Sequence, residues 1–222
     1  MADAPSPSLR AIVSPDWSSA MDRADVAVLL LHGYGADERD LLGLVEPLRI
    51  AAPWASLRAP MALAGTPGAA WFPIGQLDAL RVGPVESATA QIWAWVDAEL
   101  PDRTRVLPIG FSQGGLMATQ LLRTRPDRVV APVALAGLVL ADAQPADSSL
   151  AAARPPAFWG RGDLDTVIPT HAVAAAADFL AAHTTLTERV YPGLGHQISL
   201  AELADVAEFI RTNAGEHVIQ SN

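Results

Sequence analysis

Six consecutive apolar residues, Val26 to Leu31, leave few options for how this chain can fold. A strand points successive side chains to opposite faces, so a strand with no polar alternation must be covered on both. The run is also far too short to cross a bilayer as a helix, which takes about 20 residues. It therefore predicts an inner strand of a mainly parallel sheet with helices on both faces. Further strand candidates near 56–58, 105–109, 129–136, 157–159 and 186–191 alternate with stretches at helical spacing. Those helical stretches fall at about 38–50, 85–100, 113–125, 170–183 and 199–212. Pro84 suits a first helical turn, and Ser199 followed by Glu202 suits a capped start. Strand and helix in alternation predict an α/β fold. Residues 59–83, rich in Gly, Pro and Ala, form the longest irregular stretch, and residues 1–8 are expected to be flexible. No repeat or linker divides the 222 residues, which suit a single domain over 1–222.

In sheets of this kind, active sites collect where loops leave the carboxyl ends of the strands. Gly110-Phe111-Ser112-Gln113-Gly114 lies at one such end, between a strand and a helix. A serine on so sharp a turn is held in a strained conformation, and glycines two residues either side relieve the crowding. Two further strand ends carry the partners such a serine needs. Asp165 follows the strand at 157–159, and His196 follows the strand at 186–191. A hydroxyl is a weak nucleophile until a base takes its proton, and histidine titrates near neutrality. The imidazolium that forms needs an oriented carboxylate behind it. Asp163 shares the loop with Asp165 and competes for that role, although a turn-capping role suits it better. Asp142 is a distant third.

The developing negative charge needs donors as well. The His32-Gly33-Tyr34-Gly35 segment after the first buried strand offers the Tyr34 backbone N–H, to act with the backbone N–H of Gln113. Side-chain substitution at either residue would act only indirectly. His32 itself reads as structural, bonding neighbouring loops, while His171, His183 and His217 read as solvated. Trp71 and Phe72, in the irregular stretch, suit a substrate pocket and plain packing equally well.

Composition excludes several alternatives. With no cysteine there is no disulfide framework, thiolate nucleophile or Cys-ligated metal. The net charge of −9 disfavours nucleic acid and anionic membranes as partners. Glu38 stands where a dinucleotide-binding G-x-G-x-x-G would need glycine, and no H-E-x-x-H occurs. No metal and no cofactor are expected. The N-terminus lacks the basic start and apolar core of a secretory signal, so a cytoplasmic protein without membrane insertion is expected.

Taken together, these residues resemble the phospholipase/carboxylesterase family of α/β-hydrolases, which includes acyl-protein thioesterases. The similarity runs from about Val26 to Ile210. It is carried by His32-Gly33-Tyr34-Gly35-Ala36-Asp37, Arg58-Ala59-Pro60, Ala70-Trp71-Phe72, Gly110 to Gly115, Asp165 to Pro169 and Gly195-His196. The resemblance implies an α/β-hydrolase fold without a cap domain and a triad of Ser112, Asp165 and His196. Its implied activity is hydrolysis of small carboxylic esters through an acyl-enzyme. A thioesterase or lysophospholipase-type hydrolase with the same triad is the alternative, and a non-catalytic ligand-binding homologue is the remote one. The chain departs from the family at Tyr34, where leucine is common, at Phe72-Pro73, and at Trp159-Gly160-Arg161-Gly162. Only about twenty residues separate the strands ending near Ala136 and starting near Ala157, too few for a helical lid. A shallow pocket walled mainly by residues 60–83 follows, suited to short or medium acyl groups. A monomer or a homodimer is expected.

Overall fold

The computed structural model describes residues 9–74 and 82–220. Seven strands form the central sheet: β1 (Ala11–Val13), β2 (Val26–Leu31), β3 (Trp54–Leu57), β6 (Arg105–Phe111), β7 (Val133–Leu135), β8 (Pro156–Gly162) and β9 (Thr185–Tyr191). Their spatial order is β1-β3-β2-β6-β7-β8-β9, and every pairing is parallel except β1 with β3. A two-residue hairpin, β4 (Met61–Ala62) with β5 (Ala69–Ala70), stands apart from it.

The β2 run explains itself once both faces are seen. Ala27, Leu29 and Leu31 enter one core layer with α1 (Trp17–Met21), α2 (Val82–Glu99) and α3 (Gln113–Thr124). Val26, Val28 and Leu30 enter the opposite layer with α6 (Leu200–Ala214) and Val218 and Ile219 of the C-terminal segment. Residues 27–31 are wholly buried, which is why no polar residue interrupts them. On the exposed edge, β9 reads Thr-Leu-Thr-Glu-Arg-Val-Tyr, with charges that discourage pairing with another chain.

Local chemistry accounts for the departures from expectation. The helix anticipated over 38–50 is only a 3₁₀ segment, Asp40–Leu44. Pro47 has no N–H and its ring would strike the carbonyl of Gly43, so a continuous α-helix stops there. The strand anticipated over 129–136 shrinks to Val133–Leu135, because Pro132 cannot donate to the ladder. Val129 keeps only an isolated bridge to Val106. The stretch 59–74, expected to be irregular, holds the β4–β5 hairpin. Residues 1–8 and 75–81 lie outside the described residues, and with them the expectations placed there.

Between β7 and β8 lies α4 (Asp147–Ala153), too short for a lid and packed on α5 (Thr170–His183). It is fastened by Arg123, which is 1 % exposed and pairs with both Asp147 oxygens at 2.9 and 2.7 Å. The same guanidinium donates to the Leu140 and Asp142 carbonyls and lies over the Phe179 ring. A buried arginine is tolerable only when satisfied in this way. Among the described residues, no helix is long and apolar enough to cross a membrane.

Candidate active site

The strand order reverses between β2 and β6: β3 follows β2 to one side, and β6, β7, β8 and β9 run out to the other. Such a switch point opens a crevice at the carboxyl ends of the strands. Ser112 follows β6 and the His32–Gly35 loop follows β2, so both border that crevice. Register places Leu31 beside Gly110.

Ser112 has φ 54° and ψ −113°, a conformation L residues rarely adopt. It is held there by its N–H, which donates to the Leu135 carbonyl of β7 at 2.8 Å. The flanking glycines are obligatory. A Cβ at Gly110 would stand 2.0 Å from the Gly114 carbonyl oxygen, and one at Gly114 would stand 1.9 Å from that of Leu31.

The three residues singled out from the sequence meet, although they come from loops far apart in the chain. His196 Nε2 lies 2.9 Å from Ser112 Oγ, and His196 Nδ1 lies 2.7 Å from Asp165 Oδ2. A carboxylate only accepts, which assigns the proton to Nδ1 and leaves Nε2 free to accept from the serine hydroxyl. The other Asp165 oxygen accepts from the Val167 and Ile168 N–H groups at 2.8 and 3.3 Å, fixing the carboxylate plane. The Phe111 ring stands 4.9 Å from the imidazole and supports it from one side.

Asp163 lies elsewhere. Its Oδ1 accepts from the Gly193 N–H at 2.7 Å, so it clamps the loop that carries His196 and makes no contact with the ring. Gly162 lets these loops cross, since a Cβ there would stand 1.9 Å from the Leu194 carbonyl oxygen.

The loop after β2 is bolted from below. His32 is wholly buried; its Nε2 accepts from the Ala59 N–H at 3.0 Å and its Nδ1 lies 2.7 Å from the Gly33 carbonyl. Burial lowers its pKa, in keeping with a neutral ring that accepts at Nε2. The hairpin adds two more ties, Gly35 N–H to Ala69 O and Ala69 N–H to Ala36 O. Tyr34 turns its side chain outward, 47 % exposed, and presents the loop by its backbone. His183, expected to be solvated, is half-buried and stacked on Phe179.

Trp71 and Phe72 separate. Trp71 is 2 % exposed and packs inside, its indole N–H donating to the His32 carbonyl at 2.9 Å, so it does not line a pocket. Phe72 does: with Ile74, Leu138, Val167 and Ile168 it walls an apolar recess of about 40 Å³ beside Ser112 and Gln113. Sequence reasoning missed the Gln113 side chain, having considered only its backbone. Its Oε1 accepts from the Trp71 N–H at 2.8 Å and its Nε2 donates to the Phe72 carbonyl at 2.7 Å. It thus straps the recess wall to the first turn of α3. The only advance signal was a long amide side chain at a position that reads as the start of a helix.

A mainly parallel sheet with this crevice and these three side chains defines the α/β-hydrolase class. The chain belongs to the phospholipase/carboxylesterase family, whose model matches residues 14–214. A probable carboxylesterase of Oryza sativa subsp. japonica is 29% identical over 224 residues, spanning 91% of this chain and 83% of its own. Carboxylesterase SOBER1 of Arabidopsis thaliana is 29% identical over 156 residues, 64% of this chain and 66% of its own. Among solved structures, esterase PE8 superimposes with a TM-score of 0.72 at 28% identity, covering 93% of this chain and 100% of that one. The expected family and fold class are borne out.

Proposed function

We propose that the protein is a serine carboxylesterase acting on short- to medium-chain esters through an acyl-enzyme. What carries this reading is the continuous hydrogen-bonded chain Ser112–His196–Asp165, with links of 2.9 and 2.7 Å. Ser112 Oγ attacks the ester carbonyl carbon while His196 Nε2 takes its proton, and the carbonyl electron pair moves onto oxygen. Asp165 orients the ring and stabilises the imidazolium. The backbone N–H groups of Tyr34 and Gln113 receive the oxyanion, each contributing about 2.7–4 kcal/mol. Collapse breaks the bond to the alkoxy oxygen, which leaves with the proton from His196. Water attacks next and gives its proton to His196, which passes it to Ser112 Oγ as the acyl bond breaks and the carboxylic acid leaves.

The size of the recess supports the acyl preference. A water-sized group needs about 10–15 Å³ on this measure, so 40 Å³ accommodates roughly three such groups. A panel of p-nitrophenyl esters with acyl chains from two to twelve carbons, with acyl-CoA thioesters beside it, tests the reading. Turnover of the short esters and labelling of Ser112 by a fluorophosphonate are expected, and Ser112→Ala and His196→Ala should abolish both turnover and labelling in folded protein. Turnover of thioesters alone would move the assignment to the thioesterase class. No turnover and no labelling would end the enzymatic reading.

A further inference from the structure

Behind the recess lies a second, larger cavity of about 180 Å³ at the carboxyl ends of β7 and β8. Its lining is mixed, with Arg161, Asp163, Asp165 and Thr170 beside the apolar Ala136, Trp159 and Val173. Among the described residues, Ile168 alone lines both spaces. We propose that Ile168 is the partition that ends the acyl site and sets the acyl length accepted at Ser112. The inference rests on the esterase reading above and deepens it by naming the residue that limits the substrate.

Three observations make Ile168 a wall rather than a yielding side chain. It is only 7 % exposed. Its N–H donates to Asp165 Oδ1 at 3.3 Å, and Pro169 follows it, so its backbone is held on both sides. Being β-branched, it has few alternative rotamers into which it could swing aside. An acyl chain that outgrows the recess therefore meets Ile168, with the second cavity closed off behind it. The Ile168 side chain closes the recess there, so further methylenes find no room until that side chain is shortened. Substrates ending before Ile168 keep their whole chain in apolar surroundings, which makes short acyl groups the favoured class.

The test compares wild type, Ile168→Val, Ile168→Ala and Val167→Ala on p-nitrophenyl esters of two, four, six and eight carbons. Val167 borders the recess but not the second cavity, so it controls for simple widening. In Ile168→Ala the two cavities merge, and the ratio of kcat/KM for the eight-carbon to the two-carbon ester should rise about tenfold. Ile168→Val should move the ratio a shorter way in the same direction, and it serves should the alanine variant fail to fold. Val167→Ala should leave the ratio near wild type. A generally damaged site would lower kcat on all esters together and leave the ratio unmoved. A ratio unchanged in both Ile168 variants, with wild type active on short esters, overturns the partition alone. A wild type inert to every ester and to fluorophosphonate overturns the esterase reading, and the partition with it.

Discussion

Asp163 and Asp165 stand two residues apart and hold different things. Asp165 faces the His196 ring, whereas Asp163 grips the Gly193 N–H of the neighbouring loop. Asp165→Asn should therefore cut kcat about ten-thousand-fold by losing the orientation of the imidazole. Asp163→Ala should leave kcat within a few-fold and lower the melting point instead, because one exposed loop clamp is worth about 1 kcal/mol. Steady-state assays paired with thermal melts separate the two, and the reverse pattern would exchange their roles. Gln113 offers a finer case. Its amide both accepts from Trp71 and donates to Phe72, so Gln113→Glu keeps the first bond and sets a lone pair against the Phe72 carbonyl. The Glu variant should thus lose stability much as Gln113→Ala does, by about 1–3 kcal/mol.

Elements were legible where one segment of chain decides its own state. The β2 run, the α5 helix over Thr170–His183 and the Ser199 cap of α6, whose hydroxyl accepts from the Glu202 N–H, all follow from local pattern. The three-residue β1 and the seven-residue α4 did not, because each exists only by packing on a distant partner, β3 for one and α3 and α5 for the other. The same division runs through the site. Ser112, Asp165 and His196 each announce themselves by following a strand. The Gln113 strap, the inward turn of Trp71 and the shared wall at Ile168 depend on which loops meet, which no single segment encodes. The elbow makes the sharpest prediction at this scale. Gly110→Ala would drive a methyl to 2.0 Å from a backbone oxygen that cannot move without unseating α3. That variant should fail to give folded protein on a size-exclusion column, whereas Gly115→Ala, with its closest approach 2.9 Å, should fold with reduced stability.

The stability of the whole molecule depends on pH through Glu202, which is 1 % exposed under β8. No hydrogen bond from the described residues reaches either carboxyl oxygen. Burial pushes its pKa up to about 7, and the charge of Asp205 adds to the rise. An unfolded chain releases this proton near 4.5, whereas the folded protein holds it to about 7. Glu202 therefore lowers stability progressively as pH rises between those values, and the loss persists above them. Relative to wild type, Glu202→Gln should gain more in thermal melts at pH 8 than at pH 5; an equal change at both would count against a buried, proton-holding carboxyl. A different consequence follows from how far apart in the chain the Ser112, Asp165 and His196 segments lie. Serine and histidine are 84 residues apart and aspartate and histidine 31, and between them they draw on β6, β8 and β9. No local stretch can assemble this centre early. Loop closure over such separations is slow, so on refolding from denaturant, helical circular dichroism should recover first. Fluorophosphonate labelling should return last, as a chemical signal that the final edge of the sheet has docked.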